Sequence, residues 1–321
     1  MPAPANAPRS RRIPVREEIL AVLAVHRAAT TVQLNQLLTP PPDTHHLRHC
    51  LRDLRSKGLL ESRDRAHHPS IWSLTGPGLH TVLAWPQFQS RRPYRAAAAI
   101  PAMRSTHTLT VTQTALAFVE NARARGDECG ASDWTTEVAH PIRDGSADGE
   151  RAVIADALLR YTRNSPTRTM LRAFVEVDRA TESSERLGAK IITYARFHRH
   201  VPVPGRRGSA ADLTGLRPWQ RSYQVFPRLL FVLTGAGPRA LRSRVADLRA
   251  LVSEHPLTEQ FADEVPVGLR CWRRWRSTGP RLRCGGRWTV APDAAAGWSC
   301  EHRPAARRSH EIGPGGRVVR A

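Results

Sequence analysis

The sequence predicts a mixed α/β protein built from two units in tandem, and three observations predict it. Residues 14–85 carry three helical segments followed by a hairpin with a basic tip. Residues 104–267 run helix, three strands, helix, strand, helix, the last strand strongly apolar. Positive charge is concentrated at the two ends. The chain has 321 residues and 49 Lys+Arg against 28 Asp+Glu, a formal net charge of +21. Residues 1–95 hold 14 basic and 6 acidic side chains, residues 96–267 hold 23 and 19, and residues 268–321 hold 12 and 3. The length fits about two domains. A hydrophobic fraction of 40% supports real cores. Basic ends around a balanced middle predict nucleic-acid contact at the ends and a different task in the middle.

In the first unit, Ile19, Leu20, Val22, Leu23 and Val25 give helical periodicity between Val15 and Ala29. Thr30 or Thr31 is placed to cap a second, short helix carrying Val32, Leu34, Leu37 and Leu38. Pro40-Pro41-Pro42 ends it. Asp43 or Thr44 then caps a third helix that stops at Gly58. Its apolar stripe is Leu47, Cys50, Leu51 and Leu54, and its other faces hold His45, His46, Arg48, His49, Arg52, Arg55 and Lys57. Leu59–Arg63 and Ile71–Thr75 read as two strands around a polar turn containing Arg65, His67 and His68. Gly76-Pro77-Gly78 opens a further helix through Leu83.

In the second unit, Thr106–Arg125 reads as a helix. Trp134–His140, Val153–Tyr161 and Leu171–Asp178 read as closely spaced strands, which suits an antiparallel meander. Ser183–His200 is a helix with Leu187, Ile191, Tyr194 and Phe197 on one side. Pro202–Pro218 is a loop, Arg228–Thr234 an apolar strand and Pro238–Ser253 a helix. Residues 1–13 read as a disordered basic arm, 86–103 as a linker and 268–321 as a mostly disordered basic tail.

Several classes are excluded or disfavoured. No apolar run approaches ~18 residues, so a membrane span is not expected. Met1–Arg16 lacks an apolar core of the secretory type. Five cysteines, an odd number, point to a reducing cytoplasm. Cys271, Cys284, Cys300 and His302 lack the paired spacing of a zinc site. Neither a phosphate loop nor a dinucleotide fingerprint occurs. His198 and His200 read as a surface pair. Only Lys57 and Lys190 are lysines. GC-rich coding produces such an arginine bias, and arginine forks also bind phosphate in two-pronged fashion.

The order of helices and hairpin in residues 14–85, with "LRDLRSKGLLESR…SIWSLTGPGL", resembles bacterial winged helix-turn-helix regulators. The resemblance implies that the third helix enters the major groove and that the hairpin tip touches phosphate. The candidate contacts with double-stranded DNA are His45, His46, Arg48, Arg52, Arg55, Lys57, Arg65 and His67.

In the middle unit, Glu137, Asp156, Glu176 and Asp178 stand on the three early strands. Residues 176 and 178 share a strand face. Carboxylates on a buried face are costly without compensation, and Mg²⁺ favours carboxylate oxygen. The pattern resembles the PD-(D/E)XK nuclease superfamily. That resemblance implies Asp156 and Glu176 as metal-holding acids, with Asp178 and Glu137 as further candidates. Asp178 stands where a lysine belongs, and Lys190 on the following helix is the candidate replacement. Asp156, Glu176 and Lys190 would then be catalytic, with Mg²⁺ activating water. The alternative is a structural ion pair of Glu176 or Asp178 with Arg179, Arg172 or Lys190.

The full order, from "STHTLTVTQTALAF" through "FVEVDRATESSERLGAKIITYARF" to "FPRLLFVLTG", resembles the replication-relaxation family of actinobacterial plasmids and integrative elements. It implies a winged helix-turn-helix followed by a PD-(D/E)XK-like α/β domain. It also implies a cytoplasmic DNA-binding protein of a mobile element acting in replication, relaxation or transfer, with relaxase or replication proteins as partners and a homodimer as one possible assembly. The nuclease-like domain is then inactive or an active Mg²⁺-dependent nickase. A winged-helix transcriptional regulator is the remaining reading.

Overall fold

The computed structural model describes residues 13–65, 67–89, 102–142, 151–201 and 216–271. The expected basic arm up to residue 12, most of the linker and nearly all of the C-terminal tail lie outside those residues.

The chain opens with α1 (Val15–His26), which buries Ile19, Leu20, Val22, Leu23 and Val25 and places Glu17 and Glu18 in its first turn, where carboxylates favour the helix dipole. Three residues, Ala28–Thr30, then form β1, a strand the periodicity did not reveal. Thr30 also caps α2 (Thr31–Leu37) in a reciprocal capping box with Gln33. Asp43 caps α3 (Thr44–Ser56) by accepting the backbone N–H groups of His45 and His46. The hairpin is tighter than expected: β2 (Leu60–Arg65) and β3 (His68–Leu74) run almost to its tip. These strands form an antiparallel sheet of order β1-β3-β2. Thr75 caps α4 (Gly76–Leu83). At Gly78 a Cβ would run into the Leu59 carbonyl oxygen, so glycine permits the close approach of α4 to the strand entrance.

The second unit begins with α5 (Ala102–Arg125). Next come β4 (Trp134–Ile142), β5 (Arg151–Arg163) and β6 (Thr169–Asp178), the antiparallel meander. The crossover helix α6 (Ser184–Arg199) leads to β7 (Arg228–Leu233), parallel to β6. Then α7 (Pro238–Glu254) leads to two elements the sequence reading left out, α8 (Pro256–Glu264) and β8 (Val267–Cys271), and β8 extends the sheet by pairing parallel to β7. The five strands lie in the order β4-β5-β6-β7-β8. The mixed α/β class follows directly.

Two apolar cores sandwich the large sheet. On one face Phe174, Phe231 and Leu233 pack with Ile191, Tyr194 and Phe197 of α6, Leu248 of α7 and Phe261 of α8. On the other face Ala157, Leu159, Val175 and Val232 pack with Leu116, Phe118 and Val119 of α5. That second core does not stop at α5. It continues into Leu23, Leu34, Leu51, Leu54 and Trp72 of the N-terminal unit. Polar bonds follow the same seam. The Thr112 hydroxyl donates to the Ala28 carbonyl (2.9 Å), Gln33 donates to the Leu109 carbonyl (3.0 Å), and the Thr136 hydroxyl donates to the Val25 carbonyl (2.9 Å). Arg123 reaches the Gln36 and Leu38 carbonyls at the end of α2, a favourable place for a cation.

Phe118 is 1% exposed and lies between Trp134 and Tyr161, ring centroids 6.2 and 6.3 Å away. Phe118→Ala is expected to cost about 3–5 kcal/mol in denaturant unfolding. Because one core spans both units, circular dichroism and tryptophan fluorescence should report a single shifted transition rather than loss of the sheet alone.

Candidate functional site

Two groups of side chains stand out. The first is on α3. Leu47, Cys50, Leu51 and Leu54 turn inward, which leaves His45, His46, Arg48, His49, Arg52, Arg55 and Lys57 exposed. Lys57, as the residue following α3, donates to Asp53 at 3.0 Å, and Arg16 of α1 donates to the same carboxylate at 2.6 Å. Asp53 is thus neutralised from both sides, and its carboxyl is held below its ordinary range by the hydrogen bonds from Lys57 and Arg16. No carboxylate of the described residues pairs with Arg48, Arg52 or Arg55. His67, exposed at the hairpin tip, has a positive φ of 58°, and the side chain of Arg65 lies outside what the structure describes.

The second group is where β5 and β6 part. Their pairing runs from Arg163↔Thr169 to Ala157↔Val175 and stops. At the next position Asp156 takes over with its side chain: one carboxylate oxygen accepts the Val177 N–H at 2.7 Å. The other is 3.0 Å from Nε2 of His107 on α5. Residues before Asp156 in β5 pair only with β4, which leaves a notch beside the end of β6.

Glu176 lies beside the notch, 2% exposed. Tyr194 donates its hydroxyl to one Glu176 oxygen at 2.6 Å, and Lys190 donates to the other at 3.2 Å. Residues 190 and 194 meet one carboxylate because they are four apart on α6 and share a face. Lys190 also approaches Glu182 at 3.4 Å. Burial, reinforced by the charge of Asp156, pushes the Glu176 carboxyl up to about 7, against the pull of Lys190 and Tyr194. Burial opposes the Lys190 ammonium, yet Glu176, Asp156 and Glu182 together hold its pKa above the ordinary lysine value. The hydrogen bond to Asp156 raises His107 despite its burial.

The structure therefore brings Asp156, Glu176 and Lys190 together and sends the other two acids elsewhere. Asp178 shares the strand face of Glu176, as its spacing predicted, but Arg244 of α7 takes it at 2.9 Å, and its second oxygen accepts the N–H groups of Thr181 and Glu182. Glu137 has a positive φ of 49° and pairs with Arg27 (φ 66°) at 2.5 Å, joining the sheet to the end of α1. Asp178 and Glu137 are thus ion-pair residues rather than members of an acidic cluster. His198 is a further correction: it is buried and stacked on Trp219, not part of a surface pair, and burial lowers its pKa. Of the zinc candidates, Cys284, Cys300 and His302 lie outside the described residues. His107, Tyr194 and Glu182 were missed. The Lys190–Tyr194 spacing could have flagged Tyr194, whereas nothing local marks His107.

This donor set does not fit Mg²⁺. Both oxygens of Glu176 are already held by hydrogen-bond donors, one of them cationic, and both oxygens of Asp156 are engaged. Among the described residues no group of three or more His, Cys, Asp or Glu side chains gathers around a common point. No helix of the described residues is long and apolar enough to cross a membrane.

Glu176 titrates near 7 in the folded chain against an ordinary value of 4.5. Between those values the folded state binds more protons than the unfolded chain, so its stability falls as pH rises through that window and levels off above it. His107, also raised, adds a loss in the same direction as pH passes its folded value. Thermal unfolding from about pH 4.5 to 8 is expected to show this decline, and Glu176→Gln should flatten it and leave only the His107 part.

No curated protein and no solved structure matches the chain. A protein-family comparison matches residues 20–213 to replication-relaxation proteins. The match spans the N-terminal unit, α5, the meander and α6, more than half of the chain, and the protein belongs to the replication-relaxation family.

Proposed function

We propose that this protein binds double-stranded DNA of a plasmid or other mobile element and acts in its replication, relaxation or transfer. The observation that carries the reading is the face of α3, where Arg48, Arg52 and Arg55 project without acidic partners among the described residues, beside His45, His46 and His49. A helix that buries one stripe and exposes guanidinium groups on the other suits the major groove, where arginine reads guanine edges and phosphate. The N-terminal unit is read as a winged helix, with the β2–β3 hairpin against the sugar–phosphate backbone. Family membership supports the replication or relaxation setting. A relaxase or replication protein of the same element is the partner such a task requires.

The order α5-β4-β5-β6-α6-β7 supports a nuclease-like scaffold for the second unit. We read it as non-catalytic, because the hydrogen bonds around Asp156 and Glu176 leave no set of free carboxylate oxygens for a metal. It gives the DNA-binding unit a rigid seat through the shared core. The convergence of Asp156, Glu176 and Lys190 keeps one rival reading in play, a metal-dependent nickase.

Binding and cleavage are tested separately. Arg52→Ala combined with Arg55→Ala should weaken duplex binding in a fluorescence-anisotropy titration. If both contact phosphate, the slope of log K against log salt should flatten by about 1.8, roughly 0.9 per contact. Unchanged binding would place the groove-facing surface elsewhere. Supercoiled plasmid incubated with the protein and Mg²⁺ or Mn²⁺ should stay uncut. Nicking that disappears in both Asp156→Ala and Glu176→Ala would establish the nickase instead.

A further inference from the structure

Every acid at the notch has a cation against it. His107 meets Asp156, Lys190 meets both Glu176 and Glu182, and Arg244 meets Asp178. Arg179 is left over. It follows Asp178 at the end of β6, and its carbonyl lies so close to Gly235 after β7 that a Cβ there would strike it. The sequence offers Arg179 as a counter-ion for Glu176 or Asp178, yet it pairs with neither. It is half-buried, and its Nε is buried with no hydrogen-bond partner among the described residues. A buried donor left unused is costly and calls for an acceptor. Two residues earlier, Val177 gives its N–H to Asp156, whose other oxygen meets Nε2 of His107. His107 and Arg179 thus border the same gap, near enough for the guanidinium to oppose protonation of the imidazole, an opposition that Asp156 outweighs. The same end of α5 touches the hairpin: Arg63 of β2 donates to the Ser105 hydroxyl at 3.3 Å, two residues before His107.

We infer that Arg179, with His107 beside it, binds one backbone phosphate of the duplex whose groove receives α3. The inference rests on the DNA-binding reading and extends it, giving the second unit a contact of its own. The ligand chemistry is that of a phosphate group. A guanidinium fork matches two phosphate oxygens, and an imidazolium already donating through one ring nitrogen keeps a second donor. The neighbouring carboxylates do not compete for the fork, because Asp156 and Glu176 have both oxygens engaged inside the chain. Glu182 keeps one buried oxygen without a hydrogen bond, but its other oxygen is answered by Lys190. The bond between Arg63 and Ser105 puts hairpin and notch side by side at the start of α5, so a backbone that meets the hairpin has this gap as its next contact.

The test uses the full chain, with duplex binding read by anisotropy across a salt series and thermal unfolding read without DNA. Arg179→Met, which keeps the apolar stem, should weaken binding and flatten the slope of log K against log salt by about 0.9. Its unfolding temperature without DNA should hold or rise, because the variant removes an unused donor. Arg179→Gln takes its place if the methionine variant does not fold, and Arg179→Lys should keep the slope. Combined with Arg52→Ala and Arg55→Ala, the slope losses should add. A slope unchanged in Arg179→Met while the α3 pair flattens it would overturn this inference and leave the α3 face standing. Flattening in Arg179→Met alone would keep this contact and overturn the α3 face. A lower unfolding temperature with an unchanged slope would make Arg179 a structural residue. Inorganic phosphate that stabilises the wild type but not Arg179→Met, with duplex binding alike in both, would assign the site to a free phosphate compound and overturn the duplex contact. A wild type that binds no duplex would overturn both readings.

Discussion

The two-sided burial of α5 is the constraint on which the rest of the molecule depends. Leu116, Phe118 and Val119 of this helix belong to a core that reaches from Val175 and Val232 in the large sheet to Leu23 and Leu51 in the N-terminal unit. A helix enclosed in this way must satisfy its polar groups internally. The threonine run does so: Thr110, Thr112 and Thr114 each donate to the carbonyl four residues earlier, and Thr112 also reaches Ala28. Threonine is short enough to let β1 approach and polar enough to bond across the seam. The consequence is an N-terminal unit seated on a sheet rather than tethered to it.

A second layer of order comes from electrostatics at low solvent exposure. The sheet opens where β5 leaves β6, and the chain fills the missing backbone partner with the Asp156 side chain. Buried carboxylates carry a large desolvation cost, which is why each has drawn a specific counter-group: His107 for Asp156, Lys190 and Tyr194 for Glu176, Arg244 for Asp178. Three different helices, α5, α6 and α7, supply those groups. The acids therefore act as anchors that fix helix positions on both faces of the sheet, in addition to any chemistry at the notch. The exposed arginines of α3 face the opposite situation. They sit in water without acidic partners among the described residues, at little cost.

The junction between the units carries local strain as well as packing. Arg27 and Glu137 both adopt positive φ, a conformation that side chains with a Cβ rarely hold, and they pair with each other. Arg27 also donates to Thr136. Neither residue is a glycine, so the surrounding bonds must over-determine both conformations. Glu137, which its strand position suggested as an acid for the site, serves this junction instead.

The sequence by itself determined the elements whose signals are local. Helical spacing marked α1, α3 and α6, turn residues marked the hairpin, and apolar runs marked β6 and β7. The strand period correctly put Glu176 and Asp178 on one face, and Lys190 was identifiable as a partner for Glu176. Short segments escaped because their structure depends on neighbours. Ala28–Thr30 is a strand only because β3 lies alongside, and Val267–Cys271 only because β7 does. The partition of the acids was equally invisible: spacing gives a face, while Arg244 and Arg27 arrive from distant parts of the chain to claim Asp178 and Glu137. His107 is 49 residues from Asp156 in sequence and 3.0 Å away in space. Tertiary structure alone decides such pairings, because the cost of burying charge is settled by whichever partner the packed helices bring within reach.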